Sequence, residues 1–171
     1  MARSFSTVVF SHGKESGPWG LKITALAAVA RDLGLQVESV DYRGIDDPRL
    51  RVEKLLALGR SYAQPLVLVG SSLGGHVAAA AAATGHVTTR ALFLMAPAFY
   101  MPGFEEYTPR DIPCPAAIVH GWSDDIVPVA NSIRWAGERR AQLHILDSDH
   151  RLEDRIDMIG RLFKDFLESL G

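Results

Sequence analysis

The chain has 171 residues, enough for one domain with a sizeable core, and 47% hydrophobic and 22% charged residues are typical of a soluble globular protein. The net charge is −2 and no run of like charges occurs, so nothing attracts nucleic acid or an anionic membrane in bulk. No apolar stretch is long enough to span a membrane.

Short apolar runs alternate with longer segments of helical spacing along the chain. Strands are predicted at residues 7–10, 36–40, 66–69, 91–95, 116–120 and 143–146. Helices are predicted around 26–33, from 48 to about 63, from about 73 to 83, briefly near 128, and over 152–170. The strand segments are continuous apolar runs, which is typical of a parallel sheet with helices on both faces.

We therefore expect a single α/β domain over residues 1–171, a three-layer α/β/α sandwich with about six mostly parallel strands. The crossover connections should be right-handed. In such sheets the functional residues lie in the loops just beyond the carboxyl ends of the strands. Four of those loops carry the chemically suggestive residues of this chain.

The turn after the third strand, Gly70-Ser71-Ser72-Leu73-Gly74, matches G-x-S-x-G between a buried strand and a helix. That context predicts a strained, exposed nucleophile at Ser72, with the helix dipole favouring a developing oxyanion. Alternatively, the serine only caps the helix. Ser71 lacks the glycine spacing, and neither the G-x-G-x-x-G spacing nor a P-loop lysine is present.

A serine nucleophile needs a base, and the base needs a carboxylate that holds its tautomer. Asp124 follows the fifth strand and His150 follows the sixth, which gives the order Ser, Asp, His. Asp125 is the neighbouring candidate for the acid, and either aspartate could instead cap a turn. His150 could equally be a solvated loop histidine, but its position favours a general base.

Acyl transfer also needs two backbone donors for the oxyanion. We expect them to be the N–H groups of Leu73, after the nucleophile, and Lys14, in the loop after the first strand, with Gly13 as the next choice. Aromatic and apolar side chains on the same edge either line an acyl pocket or only cover the sheet. These are Trp19, Phe99, Tyr100, Met101 and Trp122.

The remaining histidines and the cysteine carry no catalytic or metal-binding pattern. His12 and His120 each precede a glycine at a strand end, where we expect them to support loop structure. No histidine pair has a metal-ligand spacing, so we assign no metal, and the reaction requires no cofactor. Cys114 lies between two prolines and is interpreted as a structural thiol. A single cysteine and no signal-peptide pattern favour a cytoplasmic protein.

Taken in order, these motifs resemble the α/β-hydrolase superfamily, in particular its short, lidless esterase-like and dienelactone-hydrolase-like members. The motifs are Ser11-His12-Gly13, Asp41-Tyr42-Arg43-Gly44, Gly70 to Gly74, His120 to Pro128, and Asp149-His150. The resemblance implies a trimmed sheet that lacks the first two strands of the family. The segment 96–115 is too short for a helical cap domain, which implies an open site.

The leading interpretation is a serine hydrolase that cleaves a carboxylic ester or thioester of a small molecule through an acyl-enzyme on Ser72. The same triad would serve an amidase or peptidase. A non-catalytic small-molecule-binding protein on the same fold is the third hypothesis, which the set of Ser72, Asp124 and His150 disfavours. We expect no nucleic-acid or membrane partner, while an uncovered sheet edge could support a homodimer.

Overall fold

Six strands form one parallel sheet in the computed structural model, which describes residues 4–171. The strands are β1 Thr7–Ser11, β2 Gln36–Val40, β3 Leu66–Ser71, β4 Thr89–Met95, β5 Ala116–Gly121 and β6 Gln142–Leu146. The helices are α1 Leu21–Asp32, α2 Pro48–Gly59, α3 Leu73–Ala83, α4 Val129–Arg139 and α5 Ile156–Ser169. Two short 3₁₀ turns, Glu105–Tyr107 and Glu153–Arg155, complete the regular structure of this part of the chain.

The strand order is β2-β1-β3-β4-β5-β6, and every neighbouring pair is parallel. Successive side chains of a strand point to opposite faces. Val9 accordingly packs in the core that also contains Leu55 of α2 and Trp135 of α4. Phe10 packs on the other face, where Phe163 of α5 contacts it edge-on. The predicted α/β/α sandwich is confirmed.

The edge strand β2 differs from the predicted pattern of continuous apolar runs. Its residues alternate between exposed and partly buried positions up to Val40, and Gln36 and Glu38 face solvent. An edge strand has only one neighbour and is less covered by helices, so polar residues are tolerated there. The central strands β1, β3 and β5 are buried over nearly all of their length.

The helices also differ from the prediction at their ends. α1 begins at Leu21, before residue 26, and α4 has 11 residues where only a brief helix is predicted. α2 ends at Gly59, before residue 63, because the Ser61 N–H and hydroxyl both donate to the Leu58 carbonyl. α5 begins only at Ile156, since Leu152 adopts a left-handed φ of 60°. None of the helices in residues 4–171 combines the length and hydropathy needed to cross a bilayer.

Candidate active site

The turn between β3 and α3 holds Ser72 in an unusual backbone conformation, with φ 54° and ψ −122°. A positive φ costs free energy for a residue other than glycine, so surrounding contacts must hold it. The Ser72 N–H donates to the Met95 carbonyl at 2.9 Å, and the Ser72 carbonyl accepts from the Ala98 N–H at 3.0 Å. The Ser72 side chain makes no capping bond to α3, so its hydroxyl is available for other chemistry.

Ser72, His150 and Asp124 form a continuous chain of hydrogen bonds. The Ser72 Oγ lies 3.0 Å from His150 Nε2, and His150 Nδ1 lies 2.7 Å from Asp124 Oδ2. A carboxylate only accepts, so Nδ1 carries the proton and donates it to Asp124. Nε2 is then the free acceptor for the serine hydroxyl. This is the arrangement in which an imidazole can take a proton from a serine.

Four N–H groups surround the carboxylate of Asp124, whose side chain is completely buried. Oδ1 accepts from the backbone of Ile126 at 2.9 Å and Val127 at 2.8 Å. Burial would raise the pKa of Asp124, but the bond from His150 and the two backbone bonds outweigh it and hold the pKa below its ordinary value. Asp125 is exposed, so the structure brings Asp124 and not its neighbour to His150.

The fourth donor is His120, a residue to which the sequence analysis gave only a general supporting part. His120 is fully buried, and its Nε2 lies 2.9 Å from both Asp124 Oδ2 and the Val127 carbonyl. Both oxygens only accept, so Nε2 carries the proton, and Nδ1 accepts from the Ser132 hydroxyl at 2.7 Å. Burial lowers the pKa of His120, which favours this neutral form. His120 therefore fixes the Oδ2 atom that faces His150.

Gly121 has no side chain, which lets the loop that carries His150 approach the end of β5. A Cβ at Gly121 would overlap the carbonyl oxygens of Ser148 and Asp149. A hydrogen bond also joins the two loops, since the Ser123 N–H donates to the Ser148 carbonyl at 3.0 Å. The acid and the base, which lie on different loops, are thus brought to hydrogen-bonding distance by direct backbone packing.

The loop after β1 lies against Ser72. The Cβ position of Gly13 is 3.4 Å from the Ser72 Cβ and 3.4 Å from the Ser71 carbonyl oxygen. Leu73 is the first residue of α3, where an N–H has no acceptor within the helix. Leu73 follows Ser72 in the chain and Gly13 approaches it from the loop after β1.

The five predicted pocket residues separate into two groups. Trp19 and Trp122 are 47% and 59% exposed on the loops after β1 and β5, and Met101 is partly buried. Phe99 and Tyr100 are buried in the core, which agrees with the alternative that they cover the sheet.

The reason is that the chain turns inward after Ala98, whose N–H is bonded to Ser72. Phe99 stacks on Trp135 with ring centroids 4.8 Å apart, and the Tyr100 hydroxyl donates to Glu138 at 3.0 Å. These aromatics support α4 from inside and offer no open surface to a substrate.

Cys114 borders a cavity of about 330 Å³ away from Ser72, beside the start of β5 and the end of α4. Burial raises the pKa of its thiol to about 11, which suppresses the nucleophilic thiolate. Within residues 4–171, no three His, Cys, Asp or Glu side chains are grouped so that they could hold a metal ion.

The model of the alpha/beta hydrolase family matches residues 8–168 of this sequence. The chain belongs to the alpha/beta hydrolase family. A solved member of the alpha/beta superfamily from Xanthomonas campestris pv. campestris is 39% identical, with a TM-score of 0.87, over 96% of this chain and 99% of its own. No curated protein sequence matches the chain.

More distant solved structures show the same fold. Est1E from Butyrivibrio proteoclasticus is 16% identical, with a TM-score of 0.84, over 99% of this chain and 89% of its own. Alpha/beta hydrolase domain-containing protein 10 from mouse is 19% identical, with a TM-score of 0.83, over 100% of this chain and 93% of its own. This alpha/beta hydrolase therefore shares its fold with proteins that have diverged widely in sequence.

Proposed function

We propose that this alpha/beta hydrolase is a serine hydrolase that cleaves a carboxylic ester or thioester of a small molecule. The observation that carries the proposal is the hydrogen-bonded chain from Ser72 Oγ through His150 to the buried Asp124. A protein that only binds a small molecule has no need for all three groups in this geometry. A strained backbone at the nucleophile is also typical of a site held ready for reaction.

In the acylation step, Ser72 Oγ attacks the carbonyl carbon while His150 Nε2 takes the hydroxyl proton. The carbonyl electron pair moves onto oxygen, which the N–H groups of Leu73 and Lys14, or of Gly13, would stabilise. The C–O or C–S bond to the leaving group then breaks, and His150 gives its proton to the departing oxygen or sulfur. Asp124 keeps its charge and stabilises the imidazolium.

In the deacylation step, a water molecule takes the place of the leaving group. His150 Nε2 removes a proton from the water, which attacks the acyl carbon and forms a second oxyanion. The bond from carbon to Ser72 Oγ breaks, and His150 returns its proton to the serine. The products are a carboxylic acid and free enzyme, so every atom balances without a cofactor.

The open rim of the site favours small substrates over lipid aggregates. The segment between β4 and β5 has only the 3₁₀ turn Glu105–Tyr107 as regular structure, so no helical cap covers Ser72. Trp19 and Trp122 expose apolar surface on the loops beside the site, where a short acyl chain or an aromatic acid could contact them.

The first test is labelling by a fluorophosphonate, followed by peptide mass spectrometry. We expect one adduct on Ser72 and none in the Ser72→Ala variant. Ser71→Ala is the matched control, because the adjacent Ser71 hydroxyl has no bond to His150, and its labelling should equal that of the wild type. A folded wild-type protein that stays unlabelled would contradict the proposal and favour a binding protein.

The second test separates the leaving groups. Acetyl and butyryl esters, their thioesters and the matching anilides are compared by kcat/KM. We expect esters and thioesters to exceed anilides by several orders of magnitude. An enzyme that labels at Ser72 but prefers anilides would be an amidase on the same triad.

A further inference from the structure

We propose that Arg51 is a positioning residue whose buried charge stabilises the oxyanion of the hydrolytic reaction. This inference rests on the proposed serine hydrolase function. Arg51 lies on α2, in a part of the chain that carries none of the predicted site residues, and only 2% of its surface is exposed. Arginine is almost never so buried without a carboxylate partner.

The guanidinium of Arg51 has no such partner among residues 4–171, since none of their ion pairs includes it. Its contacts are to neutral groups. Nε donates to the Ile45 carbonyl at 2.7 Å, and Nη1 donates to the carbonyls of His12 and Gly13 at 3.3 Å each. The guanidinium also lies over the ring of Tyr42, 5.2 Å from its centroid.

These contacts do not cancel the positive charge, and the exposed Asp46 acts on it only through space, without an ion pair. Dipoles and an aromatic face solvate a cation, but they do not neutralise it. The neighbouring His12 is neutral, because its Nε2 accepts from the Tyr42 N–H at 2.9 Å while Nδ1 donates to the Gly13 carbonyl. Arg51 is therefore a full positive charge buried directly behind the loop that borders the nucleophile.

The bonds from Arg51 also fix which way the loop amides point. The peptide bonds of the described residues are all trans, so the C=O and N–H of one peptide point in opposite directions. The His12 and Gly13 carbonyls point toward Arg51. The N–H groups of Gly13 and Lys14 in the same two peptides then point away from it, and Gly13 itself borders Ser72.

This geometry acts on the transition state more than on the ground state. The substrate carbonyl is neutral when it binds, whereas the tetrahedral intermediate carries a negative charge on oxygen. A fixed cation behind two peptides held in place stabilises that charge, and it needs no reorganisation. Arg51 should therefore contribute to kcat and hardly to KM.

Arg51→Met tests the proposal, because methionine removes the charge and keeps a long apolar side chain. We expect kcat to fall by about tenfold to a hundredfold, less than direct loss of an oxyanion donor, with KM within about twofold. An alkyl trifluoromethyl ketone, which forms an oxyanion adduct with the serine, should lose affinity by a similar factor. Arg51→Lys, which keeps the charge but not the planar fork, should lose less.

Arg49→Met is the matched control, because Arg49 lies on the same helix with its side chain 85% exposed, and its kinetics should equal those of the wild type. If Arg51→Met does not fold, Arg51→Gln replaces it and is judged by the same criteria.

A folded neutral variant with wild-type kcat and ketone affinity, or with only KM changed, would overturn the proposal. A lysine variant no better than methionine would overturn the part assigned to charge. A wild-type enzyme inactive on every ester would overturn both this inference and the proposed function.

Discussion

Replacing Asp124 with asparagine should disable the enzyme by reversing the tautomer of His150. The carboxylate accepts four N–H groups, two from the backbone on Oδ1 and two from His150 and His120 on Oδ2. An asparagine has only one acceptor oxygen, so its NH₂ group must face one of these pairs. Backbone amides cannot change their donor character, whereas a histidine can change its tautomer.

The asparagine oxygen should therefore stay on the backbone amides of Ile126 and Val127, with its NH₂ toward the two histidines. His150 must then accept at Nδ1 and carry its proton on Nε2, where it can no longer accept one from Ser72. In the serine-protease triad this tautomer change lowers kcat about 10⁴-fold, which corresponds to about 5.5 kcal/mol. We expect a loss of this order, because the same atoms are involved.

The measurement is kcat/KM on a p-nitrophenyl ester, with circular dichroism to show that the variant is folded. Asp125→Asn is the matched control, because Asp125 is adjacent and exposed, and it should keep wild-type activity. An Asp124→Asn enzyme within tenfold of the wild type would refute the reasoning. A larger loss in Asp125→Asn would mean that the acid has been assigned to the wrong aspartate.

Three further predictions follow from burial and packing. The pKa of Asp124 is lower in the folded protein than its ordinary value of 3.8, so its ionised form stabilises the fold at pH values above 3.8. This stability is lost as the pH falls through the folded pKa. The urea midpoints of the wild type and Asp124→Asn should therefore converge in that acidic range. Gly121→Ala should lower the free energy of unfolding by about 3 kcal/mol and reduce ester turnover, since its Cβ displaces the His150 loop. Gly137→Ala, in an open helical position, should instead raise the free energy of unfolding by roughly 0.5–1 kcal/mol. Chemical denaturation midpoints equal to that of the wild type would contradict both glycine predictions. Alkylation of Cys114 by iodoacetamide at pH 8 should be roughly a hundredfold slower than that of a free thiol and rise toward pH 11, and fast reaction at pH 8 would contradict its burial.

The order of elements and the nucleophile turn could be predicted from the sequence because both depend on neighbours along the chain. Apolar runs such as Leu66–Ser71 predict buried strands, and the glycines around Ser72 predict a tight turn from strand to helix. The order Ser, Asp, His also follows from the chain, since the loops after parallel strands open on one edge of the sheet. The strand boundaries differ from the prediction by only one or two residues.

The choice between Asp124 and Asp125 needed the tertiary structure, because neighbouring side chains in a turn point in different directions. For a similar reason, the sequence left open whether Phe99 and Tyr100 line a pocket or cover the sheet. Their position after a strand says nothing about the bond from Ala98 to Ser72, which turns the following chain toward α4.

What the sequence by itself determined is therefore the parallel α/β architecture and the tight strand-to-helix turn at Ser72, since hydrophobic period and turn chemistry are local properties. Only the tertiary structure shows that His120 contacts Asp124 and that Arg51 donates to the carbonyls of His12 and Gly13. His120 contacts Asp124 four residues further along the chain, whereas Arg51 of α2 reaches the carbonyl of His12 in the loop after β1. The contact of Arg51 depends on how distant elements pack, and that of His120 depends on how its own loop folds, so no periodicity along the chain encodes either.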